Sequence, residues 1–282
     1  MTTQTVDSAL SAKHRAMWAS GDYPAIVADI VAPLGQILVQ AAGISAGDRV
    51  LDVAAGTGSV AIPAAQTGAT VVASDLVPEL LESGRAIAEK RGLELQWREA
   101  NAEDLPFPDN AFDTVVSSIG VMFAPHHQQA ADELVRVCRP GGSIGVISWT
   151  PEGFVGQMFA TMKRYVPAPP PGVQPPPLWG NENHVHRLLG NRVDAFSSRR
   201  GVLTVTSFAT GAAFRDYFKA NYGPTITAYR NIADDAAAVA ALDADLADLG
   251  DRYLAGSASM EWEYLLVIAR RGCRRRSFGS DR

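Results

Sequence analysis

The chain has 282 residues, of which 47% are hydrophobic and 20% charged, a composition that suits one large or two small folded domains. Its net charge of −5 argues against a nucleic-acid partner, and its two cysteines share no motif, which argues against a disulfide framework or a cysteine zinc site. The N-terminus is polar and no uninterrupted apolar run reaches membrane-spanning length, so we expect a cytoplasmic protein without a membrane span.

The N-terminal residues 1–43 are predicted to form a helical lid. A short helix is expected over 13–20, followed by a turn at 21–24 that contains a glycine and a proline. Apolar residues then recur about every four positions over 26–38, which is typical of an amphipathic helix, with a bend expected at Pro33.

The stretch VLDVAAGTG at 50–58 predicts a buried strand that ends in a glycine-rich turn. Asp52 lies near the carboxyl end of this strand, where open α/β sheets bind ligands. Gly56 and Gly58 have no Cβ, so the backbone can turn sharply and approach a ligand closely. The motif alone does not identify the ligand, because Gly56, Gly58 and Ala61 also fit the dinucleotide fingerprint of an NAD-dependent oxidoreductase.

Strands and helices alternate after this turn. Further strands are expected over 70–75, 93–99, 112–117 and 143–149, with helices over 78–91 and 132–138 and a Pro-Gly-Gly turn at 140–142. This alternation predicts an α/β fold, a Rossmann-like doubly wound and mostly parallel seven-stranded sheet with helices on both faces.

The C-terminal part completes the predicted organisation. The proline-rich stretch 150–177 is expected to be a mobile cover without regular helix, followed by strands over 202–208 and 261–270 and helices over 212–222 and 236–248. The predicted divisions are a lid at 1–43, a core at 44–150, a cover insertion at 151–200, the rest of the sheet with substrate-facing helices at 201–270, and a disordered arginine-rich tail at 271–282.

Four stretches together resemble the class I S-adenosylmethionine-dependent methyltransferases, in particular the ubiquinone/menaquinone-biosynthesis group. They are VLDVAAGTG at 50–58, VVASDLVPELLESGR at 71–85, ANAEDLPFPDNAFDTVVSS at 100–118 and ELVRVCRPGGSIGVISW at 133–149. Their order and spacing are those of the family, and a nicotinamide dehydrogenase has no reason to carry the last two. Ala54 stands where the family usually has glycine, and we expect it to keep a negative φ.

The resemblance implies S-adenosyl-L-methionine as the cofactor, with S-adenosyl-L-homocysteine as the product. Asp75, at the end of the second strand, would accept hydrogen bonds from both ribose hydroxyls, and Asn101, where the family often has aspartate, would accept one from adenine. The predicted cofactor-binding residues are Asp52, Ala54, Gly56, Gly58, Asp75, Leu76, Asn101, Ala102, Glu103 and Ser118, together with Trp18 and Tyr23 of the lid.

The acceptor of the methyl group is expected to be a small aromatic or hydrophobic molecule, with O-methylation favoured. Its pocket is predicted to involve Trp18, Tyr23, Phe123, Met158, Trp179 and Tyr222. His126 is the first choice for a general base, ahead of His127, His184 and His186. No metal site is predicted, since His184 and His186 lack a third ligand.

Two other functions and the oligomeric state stay open from the sequence. The chain could be an NAD-dependent oxidoreductase, or it could bind S-adenosylmethionine without catalysing a transfer. A monomer and a homodimer both fit the sequence.

Overall fold

The structure is a computed structural model that describes residues 8–273 and contains one seven-stranded sheet. Residues 1–7 of the predicted lid and residues 274–282 of the predicted disordered tail lie outside the described residues. The strands are β1 (Arg49–Val53), β2 (Thr70–Asp75), β3 (Gln96–Glu99), β4 (Phe112–Ser118), β5 (Cys138–Trp149), β6 (Val193–Val205) and β7 (Met260–Arg271).

Helices precede, connect and follow these strands. They are α1 (Ser8–Trp18), α2 (Tyr23–Ile26), α3 (Ala32–Ala42), α4 (Ala61–Gln66), α5 (Pro78–Lys90), α6 (His127–Val137), α7 (Phe154–Met162), α8 (Glu182–Leu189), α9 (Gly211–Asn221), α10 (Gly223–Asn231) and α11 (Ala236–Leu254). A π-helical turn, Val27–Val31, joins α2 to α3.

The order of the strands in the sheet is β3-β2-β1-β4-β5-β7-β6. Neighbours from β3 to β5 are parallel, whereas β7 is antiparallel to both β5 and β6. The last four residues of β1 are all buried, which requires cover on both faces of the sheet. The predicted doubly wound, mostly parallel fold is therefore confirmed. The strand order reverses between β1 and β4, and such a switch point opens a crevice at the carboxyl ends of the strands.

The segment Tyr23–Ala42 forms a continuous helix that is long and apolar enough, by length and composition, to cross a membrane. Asp29, Gln36 and Gln40 interrupt the apolar residues of this helix, so it is not the uninterrupted apolar run whose absence was expected. Here α3 packs against β4 and β5, and its Leu34 and Leu38 are fully buried. The bend expected at Pro33 takes the form of the π-helical turn that precedes it, where proline lacks the N–H that would continue the hydrogen-bond ladder.

Several predicted elements have different bounds in the structure. Helix α7 lies within the stretch expected to lack regular helix, because no proline falls between Pro151 and Pro167. Helix α6 begins at His127 and not at residue 132, and β6 begins at Val193 and not at residue 202. The Pro-Gly-Gly sequence lies inside β5, where the pairing with β4 shifts register, and α10 was not predicted.

Two helices approach the turn between β1 and α4 so closely that only glycine fits. A Cβ atom on Gly35 of α3 would lie 1.8 Å from the carbonyl oxygen of Ser59. On Gly84 of α5 it would lie 2.9 Å from the carbonyl carbon of Thr57 and 2.6 Å from the ring of Trp97. The glycine-rich turn is therefore held between α3 and α5.

We expect Gly35→Ala to lower the free energy of unfolding by about 1–3 kcal/mol, because α3 and the turn must move apart to admit a methyl group. Urea denaturation would measure the change. Gln40→Ala, at an exposed position of the same helix, is the matched control and should leave the stability within about 0.5 kcal/mol. Equal stability of the two variants would show that the close contact is not needed.

Candidate functional site

The carboxyl ends of β1, β2 and β4 meet at one edge of the sheet. Asp52 of β1 pairs with Ala73 of β2, and Asp75 ends β2 one residue beyond the paired part. Ser118 ends β4 on the other side of β1. This arrangement places two acids and the glycine-rich turn around the switch point of the sheet.

Asp75 holds the turn through its carboxylate. One oxygen, Oδ2, accepts a hydrogen bond from the Gly56 N–H at 2.8 Å, and the other, Oδ1, accepts one from the Val77 N–H at 2.9 Å. The side chain is buried but lines a cavity. Burial raises the pKa of Asp75 to about 6, and the backbone hydrogen bonds oppose this increase. Each carboxylate oxygen keeps acceptor capacity for a further donor, so Asp75 can bind a diol.

Asp52 lies beneath the turn and does not line that cavity. Its Oδ2 accepts a hydrogen bond from the Ala61 N–H at 2.9 Å, at the start of α4. Its Oδ1 is buried without a partner among the described residues. Burial is the main cause that raises the pKa of Asp52 to about 8; the Ala61 hydrogen bond opposes the increase and the charge of Asp75 adds to it. The geometry therefore fits a role of Asp52 in holding the start of α4 beside the turn.

The turn itself is built from left-handed backbone conformations. Gly56 and Gly58 have φ of +55° and +85°, and Ala54 has φ of +53°. The expectation of a negative φ at Ala54 is therefore wrong, and a side chain in this region costs about 1–2 kcal/mol. A Cβ atom on Gly56 would meet no atom within 4 Å, whereas one on Gly58 would lie 2.9 Å from the ring of Trp97. Gly56 thus opens toward free space and Gly58 is needed for packing.

A cavity with about 770 Å³ of empty space, counted out to the solvent, lies between this turn and α1. Eight of the residues predicted to bind the cofactor line it: Trp18, Tyr23, Ala54, Gly56, Asp75, Leu76, Asn101 and Ala102. The other four predicted residues, Asp52, Gly58, Glu103 and Ser118, do not line it. We refer to it below as the first cavity.

Helix α1 closes one side of the first cavity with two residues that sequence reasoning missed, Ser11 and His14. Burial lowers the pKa of His14. Asn101 Nδ2 donates to Ser11 Oγ at 3.3 Å, and an exposed ion pair of 2.9 Å joins Arg15 to Glu99. The spacing of Ser11, His14 and Trp18 along one face of a helix was the available signal.

His126, the predicted base, does not line the first cavity, although Pro125 before it does. Its backbone N–H donates to Glu103 Oε1 at 2.6 Å, and its ring Nδ1 lies 3.2 Å from the same oxygen. Glu103 is itself buried, and its carboxylate lies near the N-terminus of α6, where negative charge is favoured. The ring of His126 is therefore engaged with Glu103 beside the cavity wall.

The other candidate histidines lie in packed surroundings. His127 Nδ1 lies 3.0 Å from His184 Nε2, and both rings are buried. Burial and the neighbouring His184 lower the pKa of His127 to about 3. His186 packs its ring against Phe196, with 5.0 Å between centroids. Within residues 8–273, no group of three or more His, Cys, Asp or Glu side chains could hold a metal ion.

A second cavity, with about 680 Å³ of empty space, again counted out to the solvent, adjoins the first. The two share Trp18, Tyr23, Ala54, Gly56, Ile119 and Phe123. Aromatic rings form part of the wall: the ring centroids of Trp18 lie 4.5 Å from Phe123 and 5.5 Å from Tyr23, and those of Tyr23 and Tyr222 are 6.3 Å apart. Of the residues predicted for the acceptor pocket, Trp18, Tyr23, Phe123 and Tyr222 line this cavity, whereas Met158 and Trp179 are buried in the core.

Comparison with known proteins identifies the family. A family model described as a methyltransferase domain matches residues 51–146. An uncharacterised protein of Mycobacterium tuberculosis H37Rv is 57% identical over 263 residues, which are 93% of this chain and 96% of that protein. A demethylmenaquinone methyltransferase of Thermus thermophilus is 43% identical over 105 residues, 36% of this chain and 48% of its own length.

A comparison with solved structures finds proteins with the fold described above. A candidate methyltransferase from Bacillus halodurans superposes with a TM-score of 0.57 at 20% identity, covering 85% of this chain and 99% of its own. The chain therefore belongs to one family with the mycobacterial protein and is a class I S-adenosylmethionine-dependent methyltransferase. The site fits this cofactor, because Asp75 offers free acceptor capacity to a ribose and the space beside Gly56 is open.

We expect the affinity for S-adenosylhomocysteine to fall as the pH drops below about 6, by up to tenfold per unit. Both carboxylate oxygens of Asp75 already accept N–H groups, so a proton bound there competes with the ribose hydroxyls. Asp75→Ala should weaken binding by at least about 1.5 kcal/mol at pH 7 and remove the pH dependence. Isothermal titration calorimetry between pH 5 and 8 would measure both effects.

Glu94→Ala, which removes an exposed acid elsewhere on the chain, is the control and should bind as the unchanged protein does. An Asp75→Ala variant that folds and keeps both the affinity and its pH dependence would rule out a role for Asp75 in ribose binding.

Proposed function

We propose that this methyltransferase moves the methyl group of S-adenosylmethionine to a small hydrophobic or aromatic acceptor, with an oxygen atom as the favoured nucleophile. The observation that carries the proposal is the pair of adjoining cavities. The first is lined by Asp75, and the second by a largely apolar and aromatic surface that suits a hydrophobic ring. Their six shared residues form a boundary at which two bound molecules would meet.

The first cavity would hold the cofactor through groups that suit each part of it. Asp75 would bind the ribose hydroxyls, and Leu76 would pack on the adenine ring. Asn101 and Ala102 would bind the adenine edge. Asn101 Oδ1 already accepts from the Glu103 N–H at 2.9 Å, and a carbonyl oxygen has a second lone pair for this purpose.

The chain's contribution to the reaction is alignment and exclusion of water. When bound, the cofactor supplies an activated methyl group on a positively charged sulfur. Trp18, Tyr23 and Phe123 line both cavities, so they would hold the acceptor against the boundary. Alignment of two reacting groups in a fixed geometry can supply a large part of a rate enhancement.

The second cavity offers little help with the removal of a proton. Among the described residues that line it, none is Asp, Glu, His, Lys or Arg. Tyr23 and Tyr222 have their pKa values raised by burial, so neither is a base near neutral pH. His126, proposed from the sequence as the base, would have to leave Glu103 to reach the acceptor. We therefore propose an acidic hydroxyl, such as that of a phenol, which binds uncharged and releases its proton to water as the methyl group is transferred.

The net charge and the burial of the apolar helix bear on the location and the partners of the protein. We propose a cytoplasmic protein, monomeric or homodimeric, that acts without a nucleic-acid partner, because the net charge is −5. Its apolar helix Tyr23–Ala42 buries Leu34 and Leu38 against the sheet, which favours a role in the fold over a membrane span.

Incubation with methyl-labelled S-adenosylmethionine and a panel of phenols, thiols, amines and carboxylic acids would test the proposed function. We expect labelled product with apolar phenols first, and none from Asp75→Ala at the same cofactor concentration. Binding of S-adenosylhomocysteine without product from any acceptor would favour a non-catalytic protein. Preferential binding of NADH would instead favour an oxidoreductase.

We also propose that residues 10–24 form a lid over the cofactor. Trp18 and Tyr23 line both cavities, and Ser11 and Arg15 connect α1 to the end of β3 and the loop after it. The stretch 150–177, expected from the sequence to be a mobile cover, is not included, because Met158 of α7 is fully buried.

Hydrogen exchange of residues 10–24 should be fast in the free protein and slow once S-adenosylhomocysteine is bound, since lids come from segments of low local stability. Exchange in β7, which pairs with strands on both sides, should be slow in both states and serves as the internal reference. Slow exchange of 10–24 without ligand would indicate a fixed helix in place of a lid.

A further inference from the structure

Two side chains that line the second cavity each carry a polar atom whose hydrogen-bonding capacity is not used. Trp262 Nε1 and Thr57 Oγ1 are buried and have no partner among the described residues. Both side chains line this cavity, and they are 2% and 3% exposed. Buried polar groups nearly always have partners, and one left without a partner costs free energy. Such groups in the wall of a cavity point to a ligand that satisfies them.

Trp262 can only donate a hydrogen bond, because the indole N–H has no acceptor. Its ring lies at the start of β7, stacked on Phe154 at 4.9 Å between centroids and 19° between planes. The edge of Trp149 packs against it at 5.8 Å. These contacts fix the ring, so its N–H keeps one direction and a ligand must bring the acceptor atom to it.

Thr57 brings a second donor from a different element. It lies in the glycine-rich turn between Gly56 and Gly58, and the turn is held in place by Gly35 and Gly84 as described above. The threonine hydroxyl can rotate and donate a hydrogen bond. The cavity therefore has a donor on the turn and a donor on the β7 strand.

The other residues that line the second cavity disfavour a charged ligand. The described lining residues include no ionised side chain that could pair with a charged group, and transfer of an unpaired charge from water to an apolar site is strongly unfavourable. Trp18, Phe123 and Tyr222 instead offer ring surfaces, which favour a planar aromatic ligand.

We propose that the second cavity binds an uncharged ring compound through an oxygen that accepts hydrogen bonds from Trp262 and Thr57. This inference rests on the proposed function, since that ligand would be the methyl acceptor. The oxygen that binds the two donors would be a carbonyl or ether oxygen, distinct from the oxygen that receives the methyl group, because two donors on a nucleophile would withdraw its lone pairs.

Four probes of similar ring size would test the proposal by calorimetric titration, with and without saturating S-adenosylhomocysteine. They are 1-acetonaphthone, 1-ethylnaphthalene, 1-naphthoate and 1-naphthylmethylammonium. The neutral ketone should bind at least tenfold more tightly than either charged probe, and more tightly than the oxygen-free hydrocarbon of the same shape.

Two substitutions separate hydrogen bonding from packing. Trp262→Phe and Thr57→Val should each weaken the ketone about tenfold and change the affinity of 1-ethylnaphthalene less than twofold. The affinity of Trp262→Phe for S-adenosylhomocysteine should be unchanged, which checks that this variant is folded.

Three results would each overturn either the proposed ligand or the proposed function. Equal or tighter binding of 1-naphthoate would overturn the uncharged ligand, and equal weakening of ketone and hydrocarbon in both variants would overturn the two donors. Failure of the unchanged protein to bind S-adenosylhomocysteine would overturn the proposed function alone, since the titrations without it still measure the preference of the cavity.

Discussion

The structure of the site depends on the close packing of the turn between β1 and α4. Gly35 and Gly84 let two helices approach the backbone of this turn, while the carboxylates of Asp52 and Asp75 accept N–H groups from it and from the start of α4. Each contact acts on a different part of the same short segment. Because four elements hold the turn, its left-handed residues keep their conformation, including Ala54 with its steric cost.

The same packing gives two neighbouring acids different roles. Asp52 is fully buried and its pKa rises to about 8, because burial disfavours its charged form. Asp75 is also buried, but it receives two backbone hydrogen bonds that oppose this effect, and its pKa rises only to about 6. The acid that more readily carries a negative charge is therefore the one that faces the first cavity, where a cofactor that carries hydroxyl groups would bind.

The N-terminal segment joins the two cavities into one site. Trp18 and Tyr23 line both, although they precede the first strand and lie far in sequence from the other walls. Tyr23 also accepts a hydrogen bond from the Gly223 N–H at 3.2 Å, which connects it to α10 near the end of the chain. A shared wall of this kind couples the cofactor side to the acceptor side, because movement of the segment changes both.

Local patterns in the sequence determined the sheet, the glycine-rich turn and the position of Asp75, because strand periodicity and the need for glycine act over a few neighbouring residues. The tertiary structure alone decided which distant residues meet. It brought Ser11 against Asn101, turned His126 toward Glu103, and placed Ala54 at a positive φ. It also left the second cavity without an ionised side chain. These features depend on the packing of segments far apart in the chain, which no local pattern records.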